Sequence, residues 1–574
     1  MPRSEQARLL GKLAADQATA DRLRMPVGEY RGLRDDARAE PDGPSRRRLL
    51  ARAAALGLGA AAYGLTGARP ARAQGTGPSA DAERRAGLDR PVGPSPRIAV
   101  VGAGISGLNA ALTLADKGIA ATVYEANPDR IGGRMYSGGG VTRPGLWLNG
   151  QVSEYGGELV DTGHHTVRQL CQRFGLGTTD VAAAYGSQAE QHFWFQGGYY
   201  PRARADEDFK QIWQLIKADV QDGGAGPTWN SHSEGAVRLD RMSVREWIDS
   251  RVPGGLSSRL GALLDVAYAV EYGADTADQS AFALLLMLSW QAQPGDFNIW
   301  GGSDERFHIT GGNDQLPYAI AGALPPGTVR PGHTLTAVTR NADGSQTLAF
   351  DLDGGGTRTV TADHTILALP LPVLQQRVDL SRAGLDPMMT GVLRNMRMGA
   401  CTKLNMQFGD RPWRGTGPWP GVSGGECFAD LPFQQAWDVT KGQPGDTGIL
   451  VQYGGGSPAR GLTPPAAFTD ASVPYTRELA GRYLRQIDVL WPGTSAAWNG
   501  RATLSAWHLN PYSYGAYSYW PVGYLTGWAG YEGTAQGRLH FAGEHTSYDF
   551  QGYMEGGAAE GARAAGEVLA AIGA

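Results

Sequence analysis

A segment that begins at Arg97 combines four features that constrain the fold of the whole chain. The β-branched run Ile98–Val101 predicts a buried parallel strand, and the turn Gly102-Ala103-Gly104-Ile105-Ser106-Gly107 follows it. Residues 108–117 predict a helix, and a second predicted strand ends at Glu125. Strand, glycine turn, helix and carboxylate lie within roughly 30 residues, the pattern of a dinucleotide-binding unit. An α/β domain with a parallel sheet is therefore expected.

The turn residues suit contact with a dinucleotide. Gly102 allows the tight turn, Gly104 lets the backbone approach a pyrophosphate, and Gly107 lets helix and strand pack closely. The phosphates would lie at the helix N-terminus, and Glu125, 18 residues beyond Gly107, would accept a ribose hydroxyl. The predicted contacts of this unit are Gly102, Gly104, Ile105, Ser106, Gly107 and Glu125.

Length and composition limit the number of domains and the class of protein. A chain of 574 residues suggests two or more domains. Its 42% hydrophobic and 19% charged residues are typical of a globular protein in water, and no apolar run reaches the ~18 residues that span a bilayer. Cys171, Cys401 and Cys427 have no metal-like spacing, so neither a disulfide framework nor a metal site is predicted.

Residues 1–73 resemble an export signal. Arg46-Arg47-Arg48 precedes an alanine-, leucine- and glycine-rich run at 53–65, and Ala71-Arg72-Ala73 offers a small-residue cleavage site. The paired arginines resemble a bacterial twin-arginine signal, whose Tat machinery exports folded proteins. Residues 74–96 are typical of a linker. The expected location is periplasmic or extracellular; the alternative is an amphipathic first helix of the mature fold.

The body of the chain is acidic. Residues 1–73 hold 14 of the 52 Lys and Arg and 8 of the 56 Asp and Glu, so the remainder carries 38 against 48, a net charge of −10. An acidic body without a basic stripe argues against nucleic acid as a partner. It favours cationic small molecules mildly, and solubility alone explains it equally well.

A second glycine turn, Arg130-Ile131-Gly132-Gly133-Arg134, follows shortly after Glu125. This order resembles flavin enzymes rather than nicotinamide dehydrogenases, and specifically the flavin amine oxidase superfamily of monoamine oxidases and L-amino-acid oxidases. The matching segments are the Gly102 turn with Glu125, Gly132-Gly133-Arg134, Met398-Gly399-Ala400-Cys401-Thr402-Lys403, 512–519 and 541–556. The resemblance implies a two-domain α/β fold, in which a Rossmann-like FAD-binding domain built from discontinuous segments joins a mixed α+β substrate domain with a helical insertion.

The resemblance also divides the chain. The FAD-binding domain is expected at 97–187, 311–380 and 535–574, and the substrate domain at 188–310, which looks helical, and 381–534. Period-two alternation at 334–338 and 347–352, around the turn Asn341-Ala342-Asp343-Gly344, predicts a hairpin. Backbone near Leu335 is implied to meet the adenine, with the Leu335 side chain in the core.

Further FAD contacts are implied along the chain. They fall at the phosphates, beside the flavin ring and along the ribityl chain, namely at Gly133, Arg134, Gly156, Gly157, Leu335, Gly543, Glu544, Tyr553 and Met554. A helix that begins near Met554 would point roughly half a positive charge at the flavin, which favours the anionic reduced form. Mammalian monoamine oxidases have a flavin-bonded cysteine where this chain has Ala516, so non-covalent FAD is expected.

Four side chains are implied to shape the chemistry. Lys403 matches the lysine that holds a water against flavin N5, where an ammonium stabilises negative charge as electrons pass to oxygen. Tyr517 and Tyr553 match the two tyrosines that form an aromatic cage and guide an amine. Trp507 matches a tryptophan of the pocket.

The expected reaction is oxidation of the C–N bond of a primary or secondary amine to an imine, with O2 reduced to H2O2 and the imine hydrolysed in water. The closest alternative is a secreted L-amino-acid oxidase, whose site needs a cation for the α-carboxylate. Many of those enzymes carry an arginine just after the glycine pair that aligns with Gly156-Gly157, where this chain has Glu158-Leu159. A second alternative is an amine dehydrogenase with a periplasmic electron acceptor. The oligomeric state, a homodimer included, stays open.

Overall fold

The computed structural model describes residues 96–186, 189–224, 226–289, 297–301 and 303–574. The expected signal at 1–73 and all but the last residue of the expected linker lie outside the described residues. The strands of the described part are β1 Ile98–Val101, β2 Ala121–Tyr124, β3 Ser137–Gly138, β4 Ser153–Glu154, β5 Thr178–Asp180, β6 Ala189–Phe195, β7 Gly198–Tyr199, β8 Phe307–Ile309, β9 Val329–Arg330, β10 His333–Arg340, β11 Gln346–Leu352, β12 Thr357–Ala362, β13 His364–Leu367, β14 Asp379–Arg382, β15 Arg397–Met398, β16 Cys401–Phe408, β17 Arg414–Gly415, β18 Val422–Ala429, β19 Gln435–Asp438, β20 Gly448–Gly455, β21 Phe468–Asp470, β22 Trp498–Ala506, β23 Ser518–Tyr519 and β24 Leu539–Phe541.

The α-helices of the same residues cluster in two long stretches and at the C-terminus. They are α1 Ile105–Ala115, α2 His165–Arg173, α3 Val181–Tyr185, α4 Arg202–Gly223, α5 Glu234–Asp240, α6 Val244–Arg251, α7 Arg259–Tyr272, α8 Phe282–Leu288, α9 Gln315–Ala323, α10 Leu371–Gln376, α11 Pro387–Asn395, α12 Ser457–Arg460, α13 Pro474–Leu490, α14 Leu525–Trp528 and α15 Met554–Ile572. Among these described helices, none combines the length and apolar character needed to cross a membrane.

The predicted parallel sheet is confirmed. Its five strands lie in the order β24, β13, β1, β2, β9, and each neighbouring pair is parallel. Alternate residues of β1 face opposite sides, as in any strand: Ile98 and Val100 pack with α1 and α15, whereas Ala99 and Val101 pack with the β10–β12 hairpins. All four β1 residues are buried, because both faces of the sheet are covered.

The predicted hairpin corresponds to β10 and β11, which pair antiparallel. Its turn is closed by the Asn341 amide, which donates to the Ser345 carbonyl at 2.8 Å, and Gly344 adopts a φ of +83° there. β12 and β14 complete a four-stranded sheet. Leu335 is 3% exposed and belongs to the core between this sheet and β1, as the sequence predicted for its side chain.

A larger sheet contains most of the strands in the segments expected to form the substrate domain. Its path is β21, β22, β16, β20, β19, β18, β6, β7, with β17 paired to β18. All eight residues of β16 are buried between the antiparallel neighbours β20 and β22, and α13 packs on this core. The register sets Lys403 of β16 directly opposite Tyr453 of β20, which brings two distant parts of the chain to one place.

Candidate active site

A first cavity, of about 560 Å³, lies at the carboxyl end of the parallel sheet. Ligands of open α/β sheets bind at this edge, and the cavity is bounded by residues within two positions of the ends of four of its strands: Gly102, Glu125, Ala368 and Gly543. The predicted site residues that line it are Gly102, Gly104, Ile105, Ser106, Glu125, Gly133, Arg134, Gly156, Gly157, Lys403, Trp507, Tyr517, Gly543, Glu544, Tyr553 and Met554.

Two predicted contacts do not line this cavity. Gly107 instead lets α1 pack on β1, because a Cβ there would lie 1.9 Å from the carbonyl oxygen of Gly102. Leu335 points into the core, while its neighbours Thr334 and Thr336 line the cavity, since successive side chains of a strand face opposite sides. Contact with a bound group at this strand would therefore come from the threonines and the backbone.

The glycine turn leaves donors available to an anion. No side chain caps the N-terminus of α1, and its first turn has no acidic residue, so the backbone N–H groups there are suited to a phosphate. The carboxylate of Glu125 accepts the amides of Ala103 (2.7 Å) and Asn127 (2.8 Å). Burial raises the pKa of Glu125, and these amide donors oppose the rise. Glu125 thus braces the turn from the adjacent strand.

Gly156 and Gly157 close the cavity at a point where side chains cannot fit. A Cβ on Gly156 would lie 2.0 Å from the Arg134 carbonyl oxygen, and one on Gly157 would lie 2.8 Å from Cγ of Met554. Trp507 packs over Gly156, and its indole N–H donates to the carbonyl of the preceding residue at 2.6 Å. The backbone itself therefore forms this part of the wall.

Arg134, which is partly exposed, forms an ion pair with the buried Glu544 at 2.7 Å. Glu544 also accepts from the Ser518 hydroxyl (2.7 Å) and the Gly552 amide (2.8 Å). Burial favours the neutral carboxyl, but the charge of Arg134 and these donors outweigh it and hold the pKa of Glu544 below its usual value. Arg134 further donates to the Ala516 carbonyl at 2.9 Å. The pair thus ties the second glycine turn to β23 and to the segment before α15.

Lys403 is not a solvated lysine: it is 3% exposed. Its ammonium donates to the Gly156 carbonyl at 3.0 Å and to Oε2 of Glu158 at 2.7 Å. The second oxygen of Glu158 accepts the indole N–H of Trp437 at 2.8 Å. The sequence analysis considered Glu158 only as a position without an arginine and did not predict its pair with Lys403. The one available signal was general: a buried lysine needs an acceptor.

Tyr517 is held by a network that the sequence did not reveal. Its hydroxyl donates to the Val270 carbonyl at 3.0 Å and lies 2.9 Å from the Tyr453 hydroxyl and 3.2 Å from Sγ of Cys401. Burial holds the pKa of both phenols well above its usual value, so both stay protonated. The other cage residue, Tyr553, is 5% exposed, and its hydroxyl has no partner among the described residues.

The N-terminus of α15 opens into the first cavity through Tyr553, Met554 and Gly557. No side chain caps it. Glu555, in its first turn, instead accepts the amides of Thr166 and Val167, each at 2.8 Å. The carboxylate therefore caps α2.

A second cavity, of about 580 Å³, shares Tyr453 and Tyr517 with the first. Carboxyl groups dominate its described wall, which contains Glu158, Glu190, Glu271, Asp304, Glu305, Glu426 and Asp438. Burial raises the pKa of Glu305 to about 8 and that of Glu271 well above its usual range. These two are therefore largely neutral acids near neutral pH, and a nearby cation would favour their ionisation.

The described wall of the second cavity has two permanently basic side chains, and the protein engages both. Arg202 donates to Asp206 at 3.2 Å and to the Phe297 carbonyl. Lys441 lies 3.9 Å from Glu426 and 4.2 Å from the centre of the Tyr185 ring. The wall is consequently better suited to a cation than to an anion.

Comparison with known proteins places the chain in a family. The family model described as flavin containing amine oxidoreductase matches residues 105–569. The protein is a member of the flavin-containing amine oxidase family. The match begins in the glycine turn after β1 and ends inside α15, so it includes most of the lining of the first cavity and the described lining of the second.

Relatives and structural neighbours agree with this assignment. A flavin-containing amine oxidase from Danio rerio is 25% identical over 491 residues, covering 83% of this chain and 86% of that protein. An L-amino-acid oxidase from Mus musculus is 24% identical over 500 residues, covering 83% and 71%. The structure of cyclohexylamine oxidase from Brevibacterium oxydans IH-35A superposes with a TM-score of 0.69 at 21% identity, covering 84% of this chain and all of that one. The last similarity confirms the fold.

A flavin dinucleotide, which the family implies, fits the first cavity of this amine oxidase. A Cβ on Gly104 would meet only Cα of Gly133, at 3.9 Å, so the backbone is open there. Ser106 Oγ and the Tyr553 hydroxyl are buried without a protein partner, although buried polar groups are normally satisfied. Open backbone, uncapped helix ends and two unsatisfied hydroxyls are what a bound group with phosphate and carbonyl oxygens would complete.

Proposed function

We propose that this flavin amine oxidase oxidises a primary or secondary amine to an imine and reduces O2 to H2O2, with FAD as the cofactor. The observation that carries the choice of an amine is the charge of the second cavity. Its described wall has seven carboxyl residues, of which Glu158 and Asp438 are paired with Lys403 and Arg414. The remaining five outnumber Arg202 and Lys441, which are both engaged by the protein. A protonated amine is stabilised there, whereas the α-carboxylate of an amino acid needs a cation that is not already paired.

The residues around the junction of the two cavities have distinct roles in this proposal. The chemistry that FAD would supply, when bound, is to take up the two electrons released as the CH–NH unit of the amine loses two hydrogens and becomes C=N, and to pass them with two protons to O2, which becomes H2O2. Tyr517, fixed by Val270 and Tyr453, and Tyr553 form apolar walls that orient the amine and exclude water. Lys403 supplies a fixed positive charge where negative charge develops.

Cofactor attachment is proposed to be non-covalent. Ala516 lines the first cavity and has no group able to bond to a flavin. Acid precipitation of the purified protein should therefore leave the yellow flavin in the supernatant. Flavin that stays with the precipitated protein would contradict the assignment.

Export by the Tat machinery to the periplasm or cell exterior is a separate proposal, which rests on the arginine triplet at Arg46-Arg47-Arg48 and the segments after it. Replacing Arg46, Arg47 and Arg48 by lysine should retain the protein in the cytoplasm of a bacterium with a Tat system, as measured by fractionation. Export of the lysine variant would overturn the proposal.

Substrate class is tested first by anaerobic titration of the FAD-loaded protein. Loss of the visible flavin absorbance with amines, and not with L-amino acids, supports the proposal. Loss with L-amino acids alone would instead identify an L-amino-acid oxidase and draw attention to Arg202 and Lys441. H2O2 yield measured beside dye reduction then separates an oxidase from a dehydrogenase.

Lys403→Met tests the role of the ammonium. Slower reduction by the amine or slower reoxidation by O2, with FAD content unchanged, is the expected result. If both rates equal those of the unmodified protein, Lys403 has no part in the reaction.

A further inference from the structure

Glu158 stands between the two cavities and interacts with groups on both sides. It is 4% exposed and lines the second cavity, while its partner Lys403 lines the first. One carboxylate oxygen accepts from Lys403 at 2.7 Å and the other accepts from Trp437 at 2.8 Å. Two donors thus hold the carboxylate in a fixed orientation, as a buried carboxylate requires.

Without Glu158, the ammonium of Lys403 could adopt several orientations. An ammonium has three N–H donors on a flexible four-carbon stem. The Gly156 carbonyl takes one donor of Lys403 and Glu158 takes another, and no described residue takes the third. Because the bonds of a tetrahedral nitrogen have fixed angles, two anchored N–H groups determine where the third points.

The faces of two aromatic rings restrict the ammonium further. Nζ of Lys403 lies 5.3 Å from the centre of the Trp437 ring and 6.0 Å from that of Tyr453, within or at the range of cation–π attraction. Trp437 therefore acts twice, since its N–H orients Glu158 while its ring faces the ammonium that Glu158 binds.

We infer that Glu158 is a positioning residue for the oxidase reaction, which directs the free N–H of Lys403 into the first cavity and balances its charge. This inference rests on the proposed function, in which Lys403 acts on the cofactor. A paired lysine presents a directed donor without an uncompensated cation, so a positively charged amine at the Tyr453–Tyr517 wall is not repelled. Glu158 itself acts only through Lys403.

The experiment is a double-mutant cycle on the FAD-loaded protein with Glu158→Gln, Lys403→Met and the combined variant. The cofactor is reduced chemically rather than with an amine, so the result does not depend on the substrate. Two quantities are measured: the rate of reoxidation by O2 and the midpoint potential by equilibration with a reference dye. Asp116→Asn, which removes a carboxylate from the exposed pair with Arg173, is the control and should change neither.

Glu158→Gln alone should slow reoxidation, by up to about a hundred-fold for a group displaced by ~1 Å, and should raise the midpoint potential, because an unbalanced cation favours the reduced cofactor. In the Lys403→Met background the same change should alter neither quantity. Equal shifts in both backgrounds would show that Glu158 acts on the cofactor directly and overturn the inference. Unchanged reoxidation and potential in Glu158→Gln would overturn it as well.

Trp437→Phe keeps the measurement possible if Glu158→Gln does not retain FAD. It removes the N–H that orients Glu158 and keeps an aromatic ring, smaller than the indole, at this position, so a smaller slowing of reoxidation is expected, again abolished by Lys403→Met. A Trp437→Phe protein that reoxidises like the parent would count against the inference. Failure of the proposed function would give a different result from failure of this inference. In that case amines would leave the flavin absorbance of the parent protein unchanged.

Discussion

Replacing Arg134 by methionine should destabilise the protein by about 3 kcal/mol, near the lower end of the range for removing one partner of a buried ion pair. The lower end applies because the Arg134 side chain is 22% exposed and because Glu544 keeps its bonds from Ser518 and Gly552 when Arg134 is lost. At about 2.1 cal/mol/K per residue of unfolding entropy, a chain of 574 residues should then lose about 2–3 °C in Tm. Methionine retains much of the packing of the arginine stem, so the loss reports the charge.

The loss of Tm in Arg134→Met should be larger at neutral than at acidic pH. The pKa of Glu544 lies below its usual value because Arg134 and the other donors outweigh burial, so this carboxylate stabilises the fold above its unfolded pKa and the stabilisation is lost as pH falls. Without Arg134, burial of an unpaired carboxylate opposes folding at neutral pH, and protonation relieves that cost. The Tm difference between parent and variant should therefore be larger at about pH 7.5 than at about pH 5.

The assay is thermal unfolding of the FAD-free proteins, which separates stability from any contact of Arg134 with the cofactor. Arg173→Met is the matched control, because Arg173 pairs with Asp116 at the surface, where such pairs contribute only about 0–1 kcal/mol. A variant whose Tm deficit is the same at both pH values, or no greater than that of the control, would refute the assignment of a charge-dependent pair with the buried Glu544.

Three further results are expected. Gly107→Ala should abolish FAD retention, measured as the ratio of flavin to protein absorbance, since the new Cβ would lie 1.9 Å from a turn carbonyl; Gly322→Ala, with open space around it, should retain FAD. The kcat/KM for an amine should rise as pH increases through about 8, where Glu305 ionises, and Glu305→Gln should flatten that part of the profile. Tyr453→Phe should lower kcat/KM by up to about ten-fold, the value of one hydrogen bond, without loss of FAD, because Tyr517 keeps its bond to Val270.

The parts of the site that the sequence predicted are those formed by contiguous segments. The turn from Gly102 to Gly107 has a spacing that depends on backbone geometry alone, so strand, turn and helix followed from local pattern. The β10–β11 hairpin followed for the same reason, from alternation and a turn signal. The Leu335 side chain was correctly predicted to lie in the core, but its neighbours Thr334 and Thr336, which line the first cavity, were not identified from the sequence.

The unpredicted parts are those formed by strand register. Tyr453 lies 50 positions after Lys403 in the chain, and only the antiparallel pairing of β16 with β20 sets them opposite each other. Glu158 reaches Lys403 from a loop after β4, and Trp437 reaches Glu158 from β19. No local pattern encodes these distances. A buried lysine implies an acceptor, but the sequence offered 56 carboxylates and no means of choosing among them.

Cofactor binding and substrate choice therefore depend on different kinds of residue. The first cavity is shaped largely by backbone at strand ends, which many sequences can form. The second cavity is shaped by side chains such as Glu271 of α7 and Glu305, whose identities the fold does not require. Since relatives named for amines and for L-amino acids match this chain equally well, overall similarity cannot decide the substrate. The proposed function assigns that choice to the acidic wall beside Tyr453 and Tyr517, so substitutions at Glu271 and Glu305 should change substrate preference before they change cofactor binding.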